Sequence, residues 1–369
     1  TGRRFMYLDQ MASVDGYRFG DQNNGVGGWG FSKYGANVGW STSRKQDLGV
    51  DLKFFKDNLS LTLDIFKEHR KDILLQGRST PQIIGLSSPY LNVGEVKNWG
   101  YEFELSHRHH IGKVDYYIRA NYSFARNEVI NYDDPAGTPD YQKIAGFRID
   151  QFKGYQVLGF FQHEEEIKHS PDQTTLGGPI IPGDLKYWDR NGDGTLTEAD
   201  KVAIGYSRIP EIMYSVTPGI IWKGLEISAQ FQGAAHASVL FAGNAGYEFG
   251  GGAGGGQVSK IHQDYWTPEN PSNDFPRPAQ TNFYNYLGYQ TLNYIDGSYW
   301  KIKTVSLGYT FPKSLTSKLG VSKLRAYVTA NNLFSFAKNH LIQDYDAERG
   351  GSAKAPLQRQ FIFGLNLDF

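Results

Sequence analysis

The links between strand-like segments in this chain are sorted by length, and that sorting limits the fold more than any residue count. Large apolar residues alternate with small or polar ones at 48–54, 59–65, 99–106, 114–124, 213–222, 225–232, 302–311, 324–331 and 361–369. A period of two gives a strand two unlike faces. Going along the chain, the connections run short, long, short, very long, short, long, medium and long, with long stretches at about 71–96, 125–210, 234–296 and 335–356. A transmembrane β-barrel has short turns at its periplasmic end and long loops outside, so it predicts this order. A soluble sandwich meets water at both ends and has no reason to sort its loops. The expected fold is therefore all-β, an antiparallel transmembrane barrel whose last residue, Phe369, emerges on the periplasmic side.

The closing stretch shows the pattern most clearly. Phe361, Phe363, Leu365, Leu367 and Phe369 share one face, and Gly364, Asn366 and Asp368 share the other. Taken alone, that strand would equally suit the end of a soluble β-sandwich. No apolar run approaches the about 18 residues of a spanning helix, and mean hydropathy is −0.49. A barrel escapes that test because only alternate residues meet lipid. Tyr, Phe and Trp number 24, 23 and 7, high for the size and as expected where aromatic girdles or stacking surfaces are needed. Thirty-eight basic residues balance 38 acidic ones, which gives no general attraction to nucleic acid. The absence of cysteine removes disulfides, thiolate metal sites and cysteine nucleophiles. Thr1-Gly2-Arg3-Arg4 matches neither an initiator methionine nor a signal peptide, so any targeting segment is expected upstream or already removed.

Local expectations follow from composition. The first forty or so residues are glycine-rich and aromatic and read as loop with one strand. Turns are expected at Lys56-Asp57-Asn58, Gly112-Lys113 and Lys223-Gly224, and a small hairpin around Lys153-Gly154. Pro312 to Leu319 reads as a helical turn closed by Gly320.

The strongest chemical motif is the run Asp189 to Asp200. It puts oxygen ligands at loop positions 1, 3, 5, 9 and 12 (Asp189, Asn191, Asp193, Thr197 and Asp200), a glycine at position 6 and the Thr195 carbonyl at position 7. This is calcium spacing, and the reading is a structural Ca²⁺ that stiffens a long loop at about 10⁻⁴ to 10⁻³ M affinity. Asp200 is shorter than the usual glutamate, and the flank Leu185 to Trp188 is extended rather than helical. The competing reading is a solvated Asx-turn loop without metal.

Other clusters carry less. His107-Arg108-His109-His110 has several nitrogens but no nearby carboxylate or cysteine in sequence. Glu164-Glu165-Glu166 cannot flank a bond from two sides at about 5 to 9 Å, so it reads as a solvated charge run. Gly250 to Gly256 lacks a following Lys-Ser/Thr and reads as flexible loop rather than phosphate cradle. Tyr247, Phe249, Tyr265, Trp266, Phe283, Tyr284, Tyr286 and Tyr289 pack the loops or stack on ligand rings, with packing the default. No catalytic residue can be assigned, and the chain reads as no enzyme.

Several stretches, in order, resemble the SusC/RagA type of TonB-dependent outer-membrane transporter. They are Trp40 to Ser43 leading into Asp47 to Asp51, Asn92 to Glu102, Pro182 to Tyr187 with the acidic loop, and Tyr265 to Pro271. Asp296 to Lys303, Leu307 to Tyr309, Asn331 to Phe334 and the closing strand complete the set. The resemblance implies a barrel of roughly 22 strands, of which this chain supplies about the carboxy-terminal half. It implies residence in the outer membrane of a Gram-negative bacterium of the Bacteroidota, and import of an oligosaccharide or oligopeptide. It also implies a SusD-like surface lipoprotein as partner and TonB coupling through a plug domain that nothing in this sequence matches. The rest of such a transporter would lie elsewhere in the polypeptide or in another chain. Two alternatives remain at this point: a soluble, calcium-stabilised β-sandwich that binds glycans, and a structural or secretion-associated barrel.

Overall fold

The computed structural model describes residues 6–17, 26–33, 35–80, 83, 87–242, 246, 260–271, 274–278, 290–348 and 357–369. The glycine run and Tyr247, Phe249, Phe283, Tyr284, Tyr286 and Tyr289 lie outside them. The chain divides into two compact units. One comprises Thr1–Asp47, Phe66–Trp99 and Arg126–Ile149, and the other Leu48–Ile65, Gly100–Ala125 and Asp150–Phe369.

The strands are β1 (Gln10–Tyr17), β2 (Val26–Lys33), β3 (Thr42–Phe54), β4 (Leu59–Gln76), β5 (Tyr90–Ile111), β6 (Val114–Asn131), β7 (Lys153–Gly154), β8 (Val157–Phe160) and β9 (Leu185–Tyr187). They continue with β10 (Val202–Ala203), β11 (Ile212–Trp222), β12 (Leu225–Ala235), β13 (Ser238–Leu240), β14 (Tyr294–Asp296), β15 (Tyr299–Thr310), β16 (Lys323–Ala337) and β17 (Gln360–Asp368). Nine of them form one sheet in the order β17-β16-β15-β12-β11-β6-β5-β4-β3. The long strands pair with the next long strand in sequence, as in an up-and-down barrel wall. A sandwich would need two facing sheets. β3 and β17 do not pair with each other, so the sheet is open among the described residues.

Each anticipated strand is present, and several run further than the apolar pattern. β4 extends to Gln76, β5 begins at Tyr90 and β6 reaches Asn131. The extensions carry polar pairs such as His69–Glu95 at 2.5 Å. Once both faces of a strand are polar, its period of two disappears from the sequence. The first two long stretches correspondingly shrink to 77–89 and 132–211, while the last two keep their length and shift to 236–298 and 338–359; the second and third hold short strands of their own.

Three expectations need correction. β1 and β2 form a hairpin where one strand was anticipated. Lys153-Gly154 belongs to no local hairpin, because its partner is β10, with Val202 opposite Gly154. The histidine cluster does have a carboxylate: His110 Nδ1 lies 2.6 Å from Asp115 Oδ1 across the turn. The turns themselves form as read. Phe55, Lys56 and Asp57 take positive φ, and Gly320 ends the Lys313–Thr316 and Ser317–Leu319 helical turns in the left-handed region.

The distribution of burial is inverted relative to a water-soluble protein. Leu48, Ile65, Tyr101, Ile220, Trp222, Ile227, Leu307, Phe363 and Leu365 all stand exposed on the strands, Phe363 at 76 % and Leu365 at 67 %. The buried apolar clusters lie in or beside the long connections. One gathers Phe241, Phe275, Ile295, Ala337, Leu341 and Ile342, and the other Tyr155, Phe160, Leu185, Tyr187, Leu196 and Trp266. Aromatic rings line the exposed face, with Tyr101 stacked on Phe124 at 5.4 Å and Phe103 on Tyr122 at 5.5 Å between centroids. Tyrosines also lie over directly opposed glycines, Tyr117 on Gly219, Tyr214 on Gly233 and Tyr327 on Gly364. Each ring covers backbone that the glycine leaves bare.

Candidate functional site

The chemistry-bearing residues collect in the two longest connections, whose described segments after residue 150 share the second buried cluster. β8 pairs with β9, and Trp266 and Arg277 close against this part of the chain. Arg277 N–H donates to the Gly183 carbonyl at 3.0 Å. Its Nε lies 2.8 Å from Asp184 Oδ1, a carboxylate with no solvent exposure. Gly183 has φ +90° and sits under the Trp266 ring, where a Cβ would collide with the indole and come within 2.8 Å of Arg277 Cβ. Trp266 Nε1 donates to Gln162 Oε1 at 2.9 Å. Farther along, Tyr187 and Gln290 share a hydrogen bond at 2.5 Å, and Val157 N–H donates to Thr291 Oγ1 at 3.0 Å. Trp266 is therefore a packing residue, while Tyr265 keeps an exposed ring.

The acidic loop follows β9 in sequence. Asp189 accepts the Gly192 N–H through Oδ1 at 2.7 Å and the Gly194 N–H through Oδ2 at 2.9 Å. Asn191 Oδ1 accepts from Asp193 N–H at 3.0 Å, and Asp193 Oδ1 from Thr195 N–H at 2.8 Å. Gly192 and Gly194 take φ +74° and +84°, a region that costs other residues about 1 to 2 kcal/mol. Asp200 turns inward. Its Oδ1 accepts from Arg190 and Asn191 N–H at 2.9 and 3.3 Å, and its Oδ2 from Thr197 N–H at 2.8 Å. Thr197 Oγ1 in turn accepts from Ala199 N–H at 3.2 Å, which caps the Glu198–Asp200 turn. Asp189, Asn191 and Asp193 thus share one exposed turn. Asp200 is buried behind it as a backbone anchor. Among the described residues no three His, Asp or Glu side chains converge as a metal cage.

The glutamate run is also more anchored than a solvated run would be. It starts the short helix α1 (Glu164–Lys168), and Glu166 accepts from Gln162 N–H at 2.8 Å and from Lys186 Nζ at 2.9 Å. The Gln162 N–H, foremost, and then the Lys186 ammonium hold its carboxyl below the usual range, despite partial burial. Burial, and then Glu198, push the Tyr155 phenol well up. The last long connection carries a second ionic anchor. Lys301, 1 % exposed, meets Asp346 at 3.0 Å and Glu348 at 2.5 Å, and Lys303 adds a contact to Glu348 at 3.0 Å. This anchor was illegible in sequence because its members lie 45 and 47 positions apart.

A family profile described as "TonB dependent receptor-like, beta-barrel" matches residues 10–333. The chain belongs to that family. It is 29% identical over 365 residues to TonB-dependent receptor P3 of Formosa agariphila, covering 90% of this chain and 34% of that protein. It is 26% identical over 357 residues to TonB-dependent receptor P26 of the same organism, covering 90% and 35%. In structure it is similar to a chain of the RagAB peptide transporter, with TM-score 0.69 and 21% identity over 99% of this chain and 39% of that one. The SusC/RagA resemblance is borne out, and the all-β reading with it. These relatives are receptors and transporters rather than enzymes. The chain spans about a third of the length of the curated receptors it matches.

Proposed function

We propose that the protein containing this chain imports a nutrient across the outer membrane of a bacterium of the Bacteroidota in a TonB-dependent step. An oligopeptide is the first cargo to test and an oligosaccharide the second, with a SusD-like lipoprotein seated over the long loops. The observation that carries this reading is the nine-stranded sequential sheet with apolar side chains exposed along one face. Such a surface is unfavourable in water and favourable against lipid. The peptide cargo draws support from the RagAB likeness, and the phylum from the Formosa receptors. In this reading the chain is the carboxy-terminal part of a barrel of roughly 22 strands. The remaining strands add at the free edges of β3 and β17, and the plug lies elsewhere in the polypeptide. The test is uptake of labelled peptide and glycan mixtures by cells with and without TonB, together with the proteins that co-purify in detergent. TonB-independent uptake would refute the mechanism. A membrane-embedded protein that imports neither cargo would point instead to a tethering barrel.

For the acidic loop, the proposed ligand is a weakly held Ca²⁺ on Asp189, Asn191 and Asp193, with the Thr195 carbonyl and Thr197 completing the set. Asp189, Asn191 and Asp193 also accept backbone N–H groups, but they share the exposed turn where an ion could reach them, whereas Asp200 is buried with both oxygens engaged and fits poorly. The ion would add rigidity to a loop that hydrogen bonds already shape. Terbium luminescence sensitised by Trp188 reads this directly. A saturable signal abolished by Asp189→Asn and Asp193→Asn supports the site, and none from the unaltered protein rejects it.

A further inference from the structure

The transport reading makes no use of a cavity at the short-turn end of the β5–β6 hairpin. It has a volume of about 610 Å³ and lies among Asn58, Arg108, His110, Tyr117, Arg119 and Ile221. Arg108 and His110 of β5, and Asp115, Tyr117 and Arg119 of β6, share the polar face of the sheet by strand alternation. Ile118 points the other way, while His109 and Tyr116, on that other face by alternation, still reach the edge of the cavity. Tyr117 forms the floor. It is directly opposite Gly219 of β11, and any Cβ at that position would strike its ring, so the glycine is what lets the ring lie across the neighbouring strand.

The charges around this floor are unevenly matched. Asp115 also lines the cavity, and its carboxylate is already paired with His110 at 2.6 Å. Asp57, the other acidic residue on the lining, sits at the exposed tip of the β3–β4 turn with φ +63°. Arg119 lies over the Tyr117 ring, 5.4 Å from its centroid, which orients the guanidinium without neutralising it. Neither Arg108 nor Arg119 has an ion-pair partner among the described residues. Two planar guanidiniums on adjacent strands, lining one cavity and unpaired, form the donor arrangement that recognises oxyanions by paired N–H groups.

We propose that this cavity binds an oxyanion of the phosphate or carboxylate class, held between Arg108 and Arg119 above the Tyr117 ring. Among the described residues Ile221 is the one aliphatic residue on the lining, too little apolar surface to seat acyl chains, so the anion is either free in solution or borne by an acidic peptide. This inference rests on the wall geometry and is independent of the cargo named above.

The experiment titrates inorganic phosphate, and separately hexaglutamate, into the complete detergent-purified protein by calorimetry at constant ionic strength. Saturable binding of either is expected, weakened about tenfold by Arg108→Gln or Arg119→Gln. Binding of phosphate alone identifies a free anion; binding of hexaglutamate alone identifies a chain-borne carboxylate. The heat-induced mobility shift of the barrel reports folding of each variant. Arg→Lys at the same positions keeps the charge while losing the paired geometry, and gives an intermediate loss. The proposal is overturned if neither probe binds, or if folded variants bind as tightly as the unaltered protein.

Discussion

Replacing Asp184 with asparagine strips the charge from a carboxylate that has no exposure and that joins two segments 93 positions apart. Oδ1 faces Arg277 Nε at 2.8 Å, and Oδ2 accepts from Ile181 N–H at 3.0 Å. Removing one partner of a buried ion pair costs about 3 to 5 kcal/mol. Arg277 keeps 23 % of its side-chain exposure, so water recovers part of that loss and the lower figure of about 3 kcal/mol applies. The local opening equilibrium should then rise about 100-fold. Hydrogen exchange reads it at three amides along this seam: Arg277 N–H on the Gly183 carbonyl, Gly183 N–H on Phe161 and Phe161 N–H on Asp184. Their exchange should speed up together, while amides in β11 and β12 hold their rates, because the wall is separately hydrogen-bonded. Arg277→Met leaves the fully buried Asp184 without its cation and should cost more, toward about 5 kcal/mol, and the double variant should cost much less than the sum. The reasoning fails if the three amides change by less than about threefold, or if the two substitutions add.

Three further outcomes are expected. Burial alone would raise the Glu348 carboxyl, but hydrogen bonds from Lys301 and Lys303 and their charges outweigh it and hold it below its ordinary range. A depressed carboxylate stabilises above its unfolded pKa and loses that contribution as pH falls through the folded value. Proteolytic susceptibility of 338–348 should therefore rise below about pH 4, and Glu348→Gln should remove that step. Gly194→Ala places a side chain at φ +84° and should destabilise the acidic loop by about 1 kcal/mol, seen as faster exchange of Leu196 N–H, which donates to Asp172. Gly364→Ala would drive a methyl into the Tyr327 ring; overpacking of about 1 to 3 kcal/mol should lower the temperature of the barrel's mobility shift, and Tyr327→Ala in the same protein should restore part of it.

The resemblance to a transporter family was available from motifs, and the family assignment needed no coordinates. Site detail was less accessible. The calcium spacing marked Asp189, Asn191 and Asp193 as a shared turn, and they do share one. It gave Asp200 the same role, whereas the chain folds that carboxylate beneath the loop as an acceptor for three backbone N–H groups. Packing is the default for Trp266 in sequence, and its seat on Gly183 shows what it packs against.

What the sequence determined by itself was the wall. A period of two and the order of short and long links are local properties, written into consecutive residues by the need to set unlike faces against unlike solvents. Tertiary structure alone decided which loops hold one another. Asp184 with Arg277, Tyr187 with Gln290 and Lys301 with Glu348 are pairings across 93, 103 and 47 positions. No local periodicity encodes such contacts, because a charged or aromatic residue in an irregular segment can meet many partners, and the choice is made only when the whole loop body packs.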